Sequence, residues 1–242
     1  MSIRGRDRRQ PEPIWIDPRR PGTFGAVTLA DRTGPLVGQY VELVPLEMEM
    51  ASDLAAAAAV DRSTYGFTIG PDGDDETEAY IAATLADRDA GTIVPFAQRL
   101  RSTGRAVGCT RFLEIRWWRG RAEPDEVEIG GTWLGTEVQR SPVNTEAKLL
   151  LLTHAFETWD VFRVAIATDE RNERSRTAIA RLGATFEGVL RNHRLTRVPL
   201  EPKTPRNTAM YSITDAEWPD VKQRLVDRLA ATPEQLPRQD SR

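Results

Sequence analysis

The chain has 242 residues, of which 40% are hydrophobic and 29% charged, with a formal net charge of −3 and a single cysteine, Cys109. This length is enough to bury the core of one α/β domain. The composition excludes an intramolecular disulfide, a cysteine-built zinc site and a membrane-spanning helix, and it gives no general attraction to nucleic acid. The N-terminus is charged rather than apolar, so we expect a cytoplasmic protein that binds neither membrane nor nucleic acid.

Residues 1–35 are predicted to form an extended arm, because they are rich in arginine and proline and poor in apolar residues. Ile14, Trp15 and Ile16 are the exception. Large apolar side chains in a polar segment need a surface that covers them, so we expect this stretch to pack on the domain or on the second subunit of a homodimer. The globular domain is predicted over 36–230 and a disordered polar tail over 231–242.

The globular pattern begins near residue 40, where apolar and polar residues alternate as in a half-buried strand. The second predicted helix follows an acidic stretch that favours a helix N-terminus. The three strands after it have short connections, which indicate antiparallel pairing. In chain order the pattern predicts a strand over 40–44, helices over 47–60 and 74–88, and strands over 92–100, 106–116 and 126–134.

Helices and strands alternate beyond residue 134, and helical crossovers of this length imply that at least one pair of strands is parallel. The predicted elements are helices over 143–158, 173–182 and 215–229 and strands over 162–168, 185–195 and 208–213. Together the elements predict an α/β fold in which a mixed central sheet of about seven strands has helices on both faces.

A loop runs into the N-terminus of an apolar helix at residues 139–147, shortly after the strand that ends at Leu134. Such a junction presents unpaired backbone N–H groups and the positive end of the helix dipole, which together bind phosphate or pyrophosphate. The same residues fit an ordinary helix start, with Ser141 as the N-cap and Pro142 as the first helical residue. The local pattern leaves both interpretations open.

Several spaced motifs distinguish the two interpretations. Around the junction they are Glu128-Ile129-Gly130, Leu134, Gln139 and Thr145-Glu146-Ala147, and further motifs follow at 172–176, 182–184, 186–191 and 210–212. In order and spacing this set resembles the acetyl-CoA-binding motifs of the GNAT acyltransferase superfamily, most closely its RimJ/RimL-like branch, over about residues 39–229. The resemblance implies the GNAT fold, in which two parallel strands splay apart and hold acyl-CoA.

The loop departs from the family pattern at two positions, with Pro142 in place of the first glycine and Asn144 in place of the second small residue. Proline removes one N–H donor. The resemblance therefore implies that acetyl-CoA, or another short acyl-CoA, is bound at this loop by the groups that remain. These are Gln139, the guanidinium of Arg140 and the backbone N–H groups of Arg140, Ser141, Val143, Asn144 and Thr145.

Acyl transfer from a thioester to an amine needs a neutral amine, a polarised carbonyl and a proton for the leaving thiolate. By the resemblance, a backbone N–H near Trp133 or Leu134 polarises the carbonyl and Glu128 is the general base. Many members of the family have a tyrosine that serves as the general acid at the position where this chain has Ile179. Ser175 is then the best candidate for the general acid.

Structural roles stay open for the same residues. Glu128 also fits an exposed strand carboxylate that pairs with a cation, and Glu126, one strand period earlier, is the alternative base. Asn172 is placed against the pantetheine arm by the resemblance, but it also fits a helix N-cap. Water alone could protonate the thiolate in place of Ser175.

The acceptor pocket is predicted between the loop 64–67 and the region 195–206. His193 is a candidate for facing the acceptor. The charges point in opposite directions, because the arginines favour an acidic acceptor whereas the acidic residues favour a polyamine or a basic peptide. The arginines are Arg191, Arg194, Arg197 and Arg206, and the acidic residues are Asp72, Asp74, Asp75 and Glu76.

These features predict an N-acyltransferase that moves an acetyl or related short acyl group from acyl-CoA to a primary amine, on a protein N-terminus or a small molecule. Transfer is expected to be direct, within a ternary complex. No metal is expected, since the two histidines stand far apart in the sequence. A GNAT-like module that binds acyl-CoA without turnover is the alternative, because a fold alone does not establish activity.

Overall fold

The computed structural model of the chain describes residues 28–68, 70–196, 198, 201 and 203–231, and within them helices and strands alternate as in an α/β protein. The helices are α1 (Leu29–Arg32), α2 (Ala51–Ala59), α3 (Gly73–Asp89), α4 (Val143–Thr153), α5 (Glu173–Ala180) and α6 (Trp218–Ala230). The strands are β1 (Leu36–Val37), β2 (Val41–Pro45), β3 (Val94–Leu100), β4 (Ala106–Arg116), β5 (Glu126–Leu134), β6 (Arg163–Asp169), β7 (Thr185–Leu195) and β8 (Pro205–Thr214).

All eight strands form a single mixed sheet in the order β1-β2-β3-β4-β5-β6-β8-β7. Neighbouring strands are antiparallel except β5 and β6, which are parallel because α4 lies between them in the chain. The predicted α/β fold is therefore confirmed. The sheet has one strand more than expected, since Leu36–Val37 pairs with β2 at the edge and is too short to show a sequence pattern.

Two apolar cores lie on opposite faces of the sheet. One packs α4, α5 and α6 against the strands and includes the buried residues Leu151, Ile179 and Val221. The other packs α2 and α3 against the opposite face, with Leu54 and Ile81 at its centre. None of the described helices has the length and apolar character of a membrane span.

Glu146 connects the α4 helix to the segment between β1 and β2 at the edge of the sheet. Its carboxylate, although buried, accepts hydrogen bonds from the backbone N–H groups of Gln39, Tyr40 and Val41, at 2.7, 2.7 and 2.8 Å. Gly38 leaves the space that this carboxylate fills, because a Cβ at residue 38 would overlap it. Glu146, the middle residue of the motif at 145–147, therefore has a structural role in positioning α4 on the sheet.

The described part of the predicted arm differs from the prediction. Residues 29–32 form α1, a capping box between Thr28 and Asp31 closes its N-terminus, and Leu29 is buried in the core. The prediction of an extended segment is therefore wrong for these residues. Ile14, Trp15 and Ile16 lie outside the described residues, as does the predicted tail beyond residue 231.

Candidate active site

The parallel strands β5 and β6 separate soon after they begin. They pair at Glu126–Arg163, Val127–Val164 and Glu128–Ala165, and no further pair follows toward the end of either strand. The opening widens into a cavity of about 1990 Å³ that is lined from both sides of the sheet. This volume is large enough for an extended ligand of the kind expected between two separated strands.

A bulge in β5 lies beside this opening. Gly130 pairs with Arg111 and Trp133 pairs with Cys109, so Gly131 and Thr132 together oppose the single residue Thr110. Gly131 has φ +58°, a conformation that glycine adopts without strain. Because of the extra residue, Thr132 points toward α4 and Trp133 packs in the core on the opposite face.

Leu134 is the better placed of the two residues expected to polarise the acyl carbonyl. The next amide, that of Gly135, donates to the Val107 carbonyl of β4 at 2.8 Å. Successive amides along a strand point to opposite sides, so the Leu134 N–H points away from β4, toward the opening. Its carbonyl accordingly bonds to side chains instead of a strand, accepting from Tyr65 Oη at 3.0 Å and from Gln139 Nε2 at 2.8 Å.

The helix start at α4 differs by one residue from the ordinary start considered above. Pro142, not Ser141, is the N-cap, and its carbonyl accepts the first helical hydrogen bond from Glu146 N–H at 2.9 Å. The Ser141 hydroxyl instead donates to the Val138 carbonyl and accepts from the Val143 N–H. The amides of Asn144 and Thr145 make no hydrogen bond to the described residues, so they are the donors left for an anion.

Only part of the predicted cofactor-binding set lines the cavity. Trp133, Leu134, Gln139, Asn144, Asn172 and Ser175 do, whereas Arg140, Ser141, Val143 and Thr145 do not. Val143 is fully buried, and Arg140 is exposed with φ +61°. Direct contact with the phosphates by these four residues stays a prediction.

Gln139 links the loop to the elements around it. Besides its bond to Leu134, its Nε2 donates to Thr64 Oγ1 at 3.2 Å, and its Oε1 accepts from Arg174 Nη2 at 2.6 Å. Arg174 belongs to α5 and lines the cavity as well. Gln139 therefore connects α5, the loop before α4 and the predicted acceptor loop.

Glu128 is not an exposed carboxylate. It is 4% exposed and is paired with Arg194 of β7, whose Nη1 and Nη2 donate to its two oxygens at 2.9 and 2.7 Å. Arg194 also contacts Glu114 at 3.3 Å. The guanidinium holds the carboxylate in a fixed orientation, and its oxygens can also accept a hydrogen bond from an amine in the cavity. Glu126, the alternative base, is paired with Arg116 and Arg163 and is not part of the cavity wall.

Asn172 and Ser175 occupy the first turn of α5. The Asn172 carboxamide accepts from the Ser175 N–H at 3.0 Å, so the N-cap role is confirmed by the geometry. The Ser175 hydroxyl has no hydrogen-bond partner among the described residues and is half-buried at the cavity wall. Ile179 lies on the same wall, one turn further along the helix.

The structure places the predicted acceptor residues unequally. Thr64 to Phe67, Leu195 and Arg206 line the cavity, but His193 and Arg191 are exposed outside it, and Arg197 lies outside the described residues. The four acidic residues of 72–76 do not reach the cavity either. Asp72 is paired with Arg62 at 3.1 Å. The expected attraction for a polyamine at this site is therefore not supported by the position of these acids.

Lys148, which the motifs did not single out, is buried at the cavity wall under the bulge. Its Nζ donates to Thr132 Oγ1 at 2.6 Å and to Thr110 Oγ1 at 3.3 Å, and it has no carboxylate partner among the described residues. Burial lowers the pKa of Lys148 to about 7. Near neutral pH the cavity therefore contains an amine that exchanges readily between its charged and neutral forms.

Arg111 was missed as well. The signal was present in both cases, since a lone charged residue interrupts an apolar strand at 109–112 and an apolar helix at 147–152. Such a residue is more often solvated than buried, so the sequence does not reveal that both face the cavity. Within the described residues no group of three or more histidine, cysteine, aspartate or glutamate side chains is arranged to hold a metal ion.

Comparisons with known proteins agree with this geometry. Residues 41–185 match the family model described as an acetyltransferase (GNAT) domain. A search of the curated proteins found no match.

Solved structures similar to this one share its fold over most of the chain. A GCN5-related N-acetyltransferase from Brucella melitensis is 27% identical with a TM-score of 0.69, covering 81% of this chain and 86% of its own. A protein described as a putative acetyltransferase is 30% identical with a TM-score of 0.68, covering 84% of this chain and 98% of its own. RimJ from Mycobacterium smegmatis in complex with CoA-disulfide is 20% identical with a TM-score of 0.63, covering 81% of this chain and 97% of its own, a level that shows the common fold.

Proposed function

We propose that this chain, which belongs to the acetyltransferase (GNAT) family, transfers an acetyl or related short acyl group from acyl-CoA to a primary amine. Within the family it resembles the RimJ/RimL-like branch, and it is accordingly an N-acetyltransferase. The acceptor is a small molecule or a protein N-terminus. The observation that carries the proposal is the separation of β5 and β6 directly beyond Glu128, which brings a buried carboxylate to the edge of a large cleft.

The polar groups of the cleft fit acyl-CoA. The unbonded amides of Asn144 and Thr145 at the positive end of α4 suit its phosphates, and the Leu134 N–H in the opening suits a carbonyl. Acyl-CoA supplies an activated thioester carbonyl. This set supports a cofactor position that runs from the α4 N-terminus to the opening between the strands.

Each chemical requirement of the transfer has a candidate group in the cleft. Glu128 accepts a proton from the acceptor ammonium, and its pairing with Arg194 fixes the orientation of the carboxylate. The Leu134 N–H stabilises the negative charge that develops on the carbonyl oxygen. The Ser175 hydroxyl is free to donate a proton to the leaving thiolate. With donor and acceptor held on opposite sides of one opening, transfer is direct and needs no acyl-enzyme.

Titration calorimetry and a thiol-release assay test this function. We expect binding of acetyl-CoA, and release of the CoA thiol only when a primary amine is added. Initial rates at several concentrations of both substrates are expected to intersect in double-reciprocal form, as a ternary complex requires. Absence of binding at millimolar acetyl-CoA contradicts the cofactor, parallel lines contradict direct transfer, and binding without amine-dependent release contradicts the reaction.

The cytoplasmic location and the homodimer are further parts of the proposal. A protein acceptor is kept in the proposal because a structure of the same fold is described as a putative ribosomal-protein-serine acetyltransferase from Vibrio cholerae. Size-exclusion chromatography with light scattering checks the homodimer, and removal of residues 1–20 shows whether the Ile14-Trp15-Ile16 stretch contributes to it.

A further inference from the structure

Arg111 is a buried cation that has no counter-charge among the described residues. It is 9% exposed and lines the cavity, and the only hydrogen bond of its side chain to the described residues runs from Nη2 to the Tyr80 hydroxyl at 2.9 Å. Its guanidinium also lies over the Tyr80 ring, 5.7 Å from the ring centre. The other N–H groups of the fork have no hydrogen-bond partner among the described residues.

The groups around this guanidinium are neutral. Burial raises the pKa of the Tyr80 phenol and raises the pKa of the Cys109 thiol to about 12, so neither is an anion at neutral pH. Glu128, the carboxylate on the same face, already has Arg194 as its partner. Lys148, the other buried cation of the cavity, can lose its proton, but arginine stays charged at any pH that proteins tolerate. No described residue compensates the charge of Arg111, which leaves it available to an anion that enters the cavity.

The position of Arg111 identifies the side from which an anion arrives. Thr110 points toward α4 and contacts Lys148, so its strand neighbour Arg111 points to the opposite face. Arg111 pairs with Gly130, and two residues further along β4 Leu113 pairs with Glu128, which places Glu128 on the same face as Arg111. The α4 N-terminus, where phosphates are expected, lies on the other side of the sheet. The anion on Arg111 therefore belongs to the acceptor and not to the cofactor.

Space for the guanidinium is provided by the bulge. A Cβ at Gly131 would collide with the Arg111 side chain, so the residue that makes the bulge also admits the cation. The Tyr80 hydroxyl, which in addition accepts from Trp133 Nε1 at 3.3 Å, orients the fork. An arginine oriented in this way binds a carboxylate through two parallel hydrogen bonds, and the attraction is stronger in a buried site than in water.

We propose that Arg111 binds a carboxylate group of the acceptor, and that the acceptor is therefore an amine of the amino-acid type with a free carboxylate a few bonds from the reacting nitrogen. This inference rests on the proposed function and narrows its acceptor class. Glu128 receives the amine and Arg111 the carboxylate, one strand period apart on the same face of the sheet. A peptide whose only carboxylate is distant from its N-terminus lacks the group that Arg111 binds.

Matched acceptors test the inference in the native protein. Thiol release is measured with a series of free amino acids, with the corresponding amino-acid amides, and with short peptides of the same N-terminal residue. We expect kcat/KM for each free amino acid to exceed that for its amide by about 10- to 100-fold, with most of the difference in KM, because a hydrogen-bonded ion pair is lost. The peptides are expected to behave like the amides.

Variants show whether Arg111 causes this preference. Arg111→Met is expected to bring the ratio of the two kcat/KM values close to 1, Arg111→Lys to reduce it because the fork is lost, and Tyr80→Phe to reduce it less. Arg191→Met removes an exposed arginine outside the cavity and serves as the matched control. We expect it to keep the kcat/KM ratio of the native protein. Acetyl-CoA affinity, measured by calorimetry, reports whether each variant keeps its fold.

The results separate failure of the inference from failure of the proposed function. Transfer by the native protein to amides and peptides as readily as to free amino acids overturns the inference and leaves the acyltransferase intact. An equal loss for both acceptor series in Arg111→Lys and Tyr80→Phe shows a structural role for Arg111 and also overturns it. Absence of transfer to every acceptor overturns the proposed function and, with it, the inference.

Discussion

The Arg194 guanidinium donates to both carboxylate oxygens of Glu128, at 2.9 and 2.7 Å, and this pair joins β7 to β5 across the mouth of the cleft. The carboxylate is 4% exposed, and the guanidinium is its ion-pair partner in this buried position. The sequence left open whether Glu128 is a general base or a carboxylate that pairs with a cation. In the structure it pairs with a cation and also faces the cavity, so the two roles are compatible.

Glu128→Gln is expected to lower kcat/KM by about 10²- to 10⁴-fold, because the carboxamide cannot accept the proton of the acceptor amine. The dissociation constant of acetyl-CoA is expected to stay unchanged, since the phosphate groups lie on the other face. Steady-state kinetics and calorimetry measure the two quantities. Glu126→Gln is the control, and a large loss there with none at residue 128 would move the base to Glu126.

Glu146→Gln is expected to lower the free energy of unfolding by about 2–3 kcal/mol, because a carboxylate that accepts from three backbone amides is replaced by a group that has one acceptor oxygen. Urea denaturation followed by circular dichroism measures the change. Glu137→Gln, at an exposed position just before the same loop, is the control and should stay close to the native value. A stable Glu146→Gln protein that has lost only acetyl-CoA binding would instead point to a role in the site.

Lys148→Met is expected to change the pH dependence of stability. The native pKa is about 7 and the ordinary value is 10.5, so between these values the unfolded chain holds a proton that the native protein lacks. Stability therefore rises with pH through this window, by up to about 1.4 kcal/mol per unit, and the burial penalty is complete below pH 7.

Methionine removes the charge, and the hydroxyls of Thr110 and Thr132 remain bonded to each other at 2.8 Å. The variant is expected to be more stable than the native protein by several kcal/mol near pH 6, with the difference vanishing above about pH 10. Denaturation midpoints at several pH values measure this, with the exposed Lys203→Met as control. Equal pH profiles for the native protein and Lys148→Met would show that Lys148 is charged in the native state.

Pro142→Gly restores the glycine of the family pattern and adds one N–H beside the free amides of Asn144 and Thr145. Acetyl-CoA is expected to bind up to about tenfold more tightly, while the free energy of unfolding falls by about 0.4–1 kcal/mol because the unfolded chain gains freedom. Pro219→Gly, in the first turn of α6, is the matched control and should show the stability loss alone. An unchanged dissociation constant would mean that this loop does not contact the phosphates.

Ser175→Ala is expected to lower kcat by up to about 100-fold with little change in KM for the amine, because a proton donor for the thiolate is removed. Thr177→Ala, an exposed position on the same helix, is the control. The measurement is the rate of thiol release at saturating substrates. A kcat equal to that of the native protein would show that water protonates the thiolate.

Most of the fold could be predicted from the sequence, because period-2 and period-3.6 patterns report which face of an element is buried. The strand β1 was missed, since Leu36–Val37 is too short for a period, and α1 was missed because its four residues depend on the packing of Leu29. The start of α4 at Val143 agrees with the predicted helix over 143–158, and only the N-cap differs, since it is Pro142 and not Ser141.

The sequence by itself determined the family and identified the segment from Glu126 to Leu134 and onward into α4 as the predicted cofactor site, because the order and spacing of motifs can be read without knowing any contacts. Only the tertiary structure decided the chemistry of the cleft. The bulge at Gly131 shifts the alternation of β5 by one residue, which places Trp133 and Thr132 on faces that a strict period-2 reading reverses. The partner of Glu128 lies 66 residues away along the chain, and the isolation of Arg111 and Lys148 is a property of everything packed around them. Charge pairing and desolvation are set by neighbours in space, which is why these features could not be predicted from the sequence alone.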